Sequence, residues 1–167
     1  MWQQILDKFR RFPAQEKVIR LILQRGFQIN DRSRVVSGEI EIPHAQIAKE
    51  LGVDRRVVDT TAEAIRSDEG LYKIFRNTRS MIFLGEVAPI LDLGVIEITP
   101  NDAARQGILG NVASAVAKYG LSIRQAVSDD PYFVESPKLT IITDGKIPGD
   151  LVKVLMEVEG VKRVTVY

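Results

Sequence analysis

At about residue 94 the hydrophobic pattern of this chain changes period, and that change constrains the fold more than any other feature. Before it, apolar residues recur three and four apart; after it, short β-branched runs alternate with helical segments rich in small residues. GVIEIT at 94–99 and KLTIIT at 138–143 read as strands, LSIRQAVS at 121–128 alternates as another, and VKRVTVY closes as a fourth. QGILGNVASAVAKYG at 106–120 spaces Ile108, Leu109, Val112, Ala113 and Val116 toward one helical face. PGDLVKVLMEVEG gives a second helix from about 148 to 160, and DDPYFVESP a polar loop or hairpin. The order over 94–167 is therefore βαββαβ, which predicts four antiparallel strands with both helices on one face.

Composition narrows the chemistry. The 167 residues are 45% apolar, enough for a core in one domain or two small ones. With no cysteine, disulfides, thiol catalysis, Cys-ligated zinc and iron–sulfur clusters are excluded, and a single histidine, His44, leaves metal binding to carboxylates. No apolar run approaches the roughly 20 residues of a membrane span and no signal-peptide pattern opens the chain, so a cytoplasmic protein without membrane contact is expected. Charge is uneven. Residues 1–80 carry 15 Lys+Arg against 11 Asp+Glu (+4) and residues 81–167 carry 8 against 11 (−3), which sum to the formal net charge of +1. A basic first half suits a polyanion; the acidic second half does not.

The first half reads as helical. MWQQILDKFRR places Trp2, Ile5, Leu6 and Phe9 on one face, and PAQEKVIRLILQRG gives a second helix with Val18, Ile19, Ile22 and Leu23 inward and Gly26 as its stop. SGEIEIP alternates Ile40 and Ile42 with Glu39 and Glu41, a short strand with one buried face. Then AQIAKELGVDRRVVDTTAEAI sets Ile47, Ala48 and Leu51 on a helix from roughly 44, turns at Gly52 with Val53 plugging the turn, and restarts at Asp54 as cap. Val58, Ala62 and Ile65 face inward on the new helix, leaving Arg55, Arg56, Asp59, Thr60 and Glu63 outward.

Residues 44–66 resemble the helix-turn-helix family, whose second helix lays its N-terminal side chains in the DNA major groove. With the strand at 38–42 before them, and LYKIF at 71–75 and MIFL at 81–84 after them as apolar wing segments, residues 1–84 resemble a winged helix. That resemblance makes Arg55 and Arg56 the residues for base-edge or phosphate contacts and Thr60 the next candidate, because guanidinium pairs bidentately with guanine and phosphate. Lys73, Arg76 and Arg79 on the wing would add backbone contacts. Asp59 and Glu63 sit on the same face and oppose phosphate. His44 is expected at the surface or at a helix start.

Residues 94–167 resemble the ACT family of small regulatory modules, a ferredoxin-like sandwich that commonly binds amino acids. The carriers are GVIEIT, the stretch NDAARQGILGNVASAVAKYGLSI and the closing GVKRVTVY. In the family the first strand leads into a D/N-x-P-G-x-L loop whose backbone N–H groups hold the effector; here it reads Ala104, Arg105, Gln106, Gly107, Ile108, Leu109. The glycine and leucine match, while the polar residue has become Ala104 and the proline Gln106. An amino acid is therefore favoured by the resemblance, and a sugar-like polyol remains compatible with Asn101, Asp102 and Gln106. Independently of the name, Gly107 at a helix start admits close approach of a ligand to unpaired N–H groups. The effector set is Asn101, Asp102, Gln106, Gly107, Ile108, Leu109 and Ser122, the last at the start of the second strand.

The whole reads as an α+β chain: an N-terminal winged helix-turn-helix domain at 1–84, a linker at 85–93 where Gly and Pro break the pattern, and an ACT-like domain at 94–167. It resembles a prokaryotic metabolic regulator. The expected partners are a small-molecule effector, DNA and a second copy of the chain, since a palindromic site needs two readers. No cofactor and no catalytic constellation is expected; Asp129 and Asp130 read as a solvated turn. The other reading is a regulatory or scaffold protein that controls a metabolic enzyme through protein contacts and never touches DNA.

Overall fold

A computed structural model describes residues 2–131 and 134–167, with side chains from residue 5 onward. The Trp2 side chain and Tyr132–Phe133 of the expected polar loop lie outside the described residues. The fold is mixed α+β with two antiparallel sheets, and the chain divides into two compact units, Met1–Ile82 and Phe83–Tyr167.

The first unit contains α1 (Trp2–Phe9), α2 (Pro13–Arg25), β1 (Gln28–Ile29), β2 (Val35–Ser37), β3 (Ile40–Glu41), α3 (His44–Leu51), α4 (Arg55–Ser67) and α5 (Glu69–Asn77). Most of the apolar positions at helical spacing are buried, Leu51 only in part. Ile5, Leu6 and Phe9 of α1, Val18, Ile19 and Ile22 of α2, Ile47 and Ala48 of α3, and Val58, Ala62 and Ile65 of α4 are all buried. Leu23 is only half-buried. Three residues, Gly52 to Asp54, join α3 to α4; Gly52 is left-handed (φ 63°), and the Asp54 carboxylate accepts the Arg56 N–H at 2.8 Å.

The β structure of this unit departs from expectation in two places. LYKIF does not form a wing strand: it lies in α5, and MIFL has no regular structure. The reason is local. Leu71 and Phe75 are four apart, which suits a helix face as well as a strand face, and Asp68 caps the helix by accepting the Leu71 N–H at 2.9 Å. The sheet instead lies before the helix pair, in the order β1-β2-β3. Nor does SGEIEIP bury one face. Ile40 is 71% exposed because β3 is the edge strand and Ile40 pairs with Ser37 at the end of the hairpin. The buried β residues are Ile29, Val35 and Val36.

The second unit contains a 3-10 helix (Ala88–Leu91), β4 (Gly94–Pro100), α6 (Ile108–Lys118), β5 (Ile123–Ser128), β6 (Leu139–Thr143), α7 (Gly149–Met156) and β7 (Val161–Val166). The four strands form one sheet in the order β5-β6-β4-β7, every neighbour antiparallel. Register puts Ile96 opposite Ile141 and Ile98 opposite Leu139, and these residues pack with Ile108, Val112 and Val116 of α6 and Leu151 and Leu155 of α7. Both helices therefore cover one face. Leu109, read as inward, is 48% exposed, and Ala115 is buried in its place. Residues 85–93, read as a linker, instead fold back on the sheet: Ala88 is fully buried against Val95 and Ile142 on the face away from the helices. Pro89 in the first turn of the 3-10 helix suits that short helix, where its missing N–H is not needed.

Candidate functional site

In the first unit the helix pair sets out one polar face. Arg55 and Arg56 occupy the first two positions of α4 and are exposed, and Thr60 follows one turn later. The Thr60 hydroxyl is turned back on its own helix, donating to the Arg56 carbonyl at 2.9 Å, and it accepts from the Gln15 amide of α2 at 3.3 Å. An incoming group meets its remaining lone pair, and Gln15 beside it.

Of the two carboxylates on this face, Asp59 is paired and Glu63, among the described residues, is not. Asp59 accepts a hydrogen bond from His44 Nδ1 at 2.6 Å and pairs with Arg55 at 3.3 Å. The His44 hydrogen bond, with smaller contributions from the Arg55, His44 and Arg34 charges and against a counteracting burial penalty, holds the Asp59 carboxyl below the usual aspartate range. His44 opens α3 as expected but is buried, not exposed. Its Nε2 accepts the Val35 N–H at 3.2 Å, which leaves Nδ1 to carry the proton toward Asp59. One imidazole thus ties β2, α3 and α4 together. A lone histidine in the sequence gave no sign of this, since its partners lie nine residues before it and fifteen after. Glu63 remains exposed on the same helix.

Lys73 and Arg76 are on α5, not on a wing. Lys73 is exposed, while Arg76 faces an open cleft together with Arg66 and Arg79.

In the second unit the cleft nearest the expected effector loop has a volume of about 160 Å³. Gly107, Ile108 and Leu109 line it, where α6 begins after Gly107 (φ 89°). The other expected residues are placed elsewhere. The Asp102 carboxylate closes its own loop by accepting the Ala104 N–H at 2.9 Å, the Asn101 N–H is bonded to the Gly160 carbonyl at 2.9 Å, and Gln106 is exposed outside the cleft lining. Ser122 is at the wrong end of the sheet. The cleft adjoins Ser128 and Leu139, whereas Ser122 precedes Ile123, which pairs with Thr143 at the opposite end of β5, about 20 Å away along a six-residue run.

The opposite wall consists of residues the sequence reading had not placed there: Ser128, Asp129, Pro137 and Lys138. Asp129 and Lys138 meet because the β5–β6 ladder continues past its last strand pair; the Asp129 N–H donates to the Lys138 carbonyl at 2.9 Å. The Lys138 ammonium pairs with Glu97 at 2.8 Å, and the hydrogen bond and charge of Glu97 raise its pKa above the ordinary lysine range. At its mouth Arg105 pairs with Glu159. The space is below the roughly 300–1,000 Å³ of a drug-sized pocket. Among the described residues no group of His, Asp and Glu side chains could hold a metal ion, and no helix is long and apolar enough to cross a membrane.

No protein-family model matches the chain, and no curated protein matches it. Solved structures do. One, described as the crystal structure of a transcriptional regulator, is 14% identical with a TM-score of 0.28, over 75% of this chain and 79% of its own. The crystal structure of PH0061 is 9% identical with a TM-score of 0.27, over 92% of this chain and 88% of its own. Likeness at this level carries no functional argument.

Proposed function

We propose that this chain is a metabolite-responsive regulator of transcription: a helix-turn-helix unit that reads DNA, joined to an ACT-like unit that binds a small effector. The observation that carries the reading is the start of α4. A three-residue turn with a left-handed glycine and a capping aspartate presents two exposed arginines on the first helical turn, which is the placement that major-groove recognition needs. Asp59, one turn further on, accepts a hydrogen bond from His44 and pairs with Arg55.

The effector reading is supported by the second unit's strand order and by the small cleft at the α6 start. The effector chemistry favoured is an amino acid or a closely related metabolite, with its anionic end at the first N–H groups of α6. Among the described residues, edge strands β5 and β7 have no strand paired on their outer sides, and pairing of copies would cover them and supply the two readers a palindrome requires.

A second reading, a regulator that acts through protein contacts alone, is favoured by one observation. Val87, Ile90 and Leu91 are exposed side by side on and beside the 3-10 helix, an apolar surface of the kind partner proteins cover. Binding of a labelled mixed-sequence duplex by the full chain, followed by fluorescence anisotropy across a KCl series, separates the two. The DNA reading expects retention that falls steeply with salt, and a loss of about tenfold or more in Arg55→Gln/Arg56→Gln, at 1.4 kcal/mol per tenfold and roughly 1–3 kcal/mol for each good bidentate contact. Salt-independent or absent retention would leave the protein-contact reading standing.

A further inference from the structure

We propose that the first unit carries a second nucleic-acid surface: a track for the phosphodiester backbone running from the start of α4, past the Asn30–Arg34 turn, into the cleft of Arg66, Arg76 and Arg79. The proposal rests on the DNA reading above and adds to it a surface outside the helix-turn-helix.

The cleft has a volume of about 610 Å³. Three guanidiniums line it, and among the described residues none has a carboxylate within ion-pair distance, although Asp31 and Glu39 line the same cleft. Elsewhere Arg20, Arg34, Arg55 and Arg105 each find an acidic partner. The cleft arginines are tethered instead by neutral groups. Arg66 lies 4.4 Å and Arg76 5.9 Å from the Tyr72 ring centroid. The Arg66 Nε donates to the Asp31 carbonyl at 3.3 Å, and one Arg79 nitrogen donates to the Arg76 and Thr78 carbonyls at 3.1 and 2.6 Å. Each guanidinium is thus held in place with most of its five N–H donors unspent.

Continuity with α4 gives the occupant its shape. Arg55 and Arg66 are eleven residues apart, close to three full turns, so they lie on one side of α4 about 16 Å from each other. Arg32 and Arg34, from the far side of the same turn that supplies Asn30 and Asp31, line an adjoining cleft with Arg55. Exposed arginines strung along that length match an extended polyanion; about 16 Å is several base-pair rises of duplex. A nucleotide is disfavoured because guanidiniums, not a base, lie over Tyr72. Four carboxylates along the track, Asp54 and Glu63 beside α4 and Asp31 and Glu39 in the cleft, have no ion-pair partner among the described residues and oppose it.

The test measures the same duplex across a KCl series with the full chain and three double variants. Arg66→Gln/Arg76→Gln is expected to lower the slope of log K against log [KCl] by about two, one per lost phosphate contact, and Arg66→Lys/Arg76→Lys to keep it. If the glutamine pair unfolds by circular dichroism, Arg76→Gln alone, whose side chain makes no hydrogen bond among the described residues, is expected to lower the slope by about one. An unchanged slope overturns the track. If Arg55→Gln/Arg56→Gln weakens binding while the Arg66/Arg76 variants do not alter the slope, the track fails and the DNA reading survives; if the unaltered chain holds no duplex, both fail. A melting temperature raised by inorganic pyrophosphate and lost in Arg66→Gln/Arg76→Gln, without a change of duplex slope, would make the cleft a small-anion site and overturn the track.

Discussion

Gly26→Ala is expected to lower the melting temperature of the first unit by roughly 8–40 °C while leaving the second unit's transition in place. Gly26 ends α2 in the left-handed region, at φ 64°. A Cβ built there would stand 2.5 Å from the Arg79 carbonyl oxygen and 2.8 Å from the Ser80 nitrogen, and these are backbone atoms that cannot swing aside. The segment cannot retreat easily either. The Ser80 hydroxyl donates to the Arg25 carbonyl at 2.7 Å, Thr78 donates to the Phe27 carbonyl at 2.6 Å, and the Gln28 amide donates to the Thr78 carbonyl at 2.6 Å. Left-handed strain costs about 1–2 kcal/mol and overpacking about 1–3 kcal/mol. The sum of about 2–5 kcal/mol corresponds to that melting shift at 4–8 °C per kcal/mol for a unit of this size. Gly38→Ala supplies the comparison, since Gly38 has φ 62° but nothing within 4 Å of a built Cβ. Calorimetry of the full chain should therefore show a much smaller shift for Gly38→Ala; equal shifts would mean that the strap after α5 does not press on α2.

Phe75→Ala is expected to destabilise the first unit by about 3–5 kcal/mol, seen as a lower urea midpoint with an unchanged slope. Phe75 is fully buried near the end of α5, which packs on α4 and β1. Removing the ring deletes its burial and leaves a cavity that the surrounding helices can fill only in part. Lys73→Ala, two residues earlier and exposed, is expected to stay within about 0.5 kcal/mol. A cost below about 1 kcal/mol for Phe75→Ala would mean that α5 is not a packed element of this unit.

The same segment shows where the sequence could be read and where it could not. LYKIF is a short, mostly apolar run that a strand could hold, while Leu71 and Phe75 also satisfy a helix's i, i+4 spacing. The Asp68 cap decides between them, and its hydrogen bond becomes visible only once the backbone is placed. By contrast, the β-branched runs at 94–99 and 138–143 allow one period only, and they are strands. The strands at 28–29 and 35–37 are too short to display any period.

The candidate sites divide in the same way. The place of Arg55 and Arg56 at a helix start is legible because a cap, a turn glycine and an apolar stripe fix that start locally. The wall of the second cleft is not, because Asp129 and Lys138 come together only through the β5–β6 pairing, and the same pairing carries Ser122 away. His44 was hidden for a related reason, since its burial depends on three elements meeting.

The proposed function requires one chain to couple a small-molecule site to DNA. The most direct measurement is the duplex affinity of the full chain with and without a pool of the common amino acids, repeated with Gly107→Asp, which places a bulky anion at the start of α6. A change of roughly 5–150-fold in duplex affinity is expected on adding the pool, absent in Gly107→Asp. An affinity that the pool leaves unchanged, or alters equally in Gly107→Asp, would contradict the proposed function.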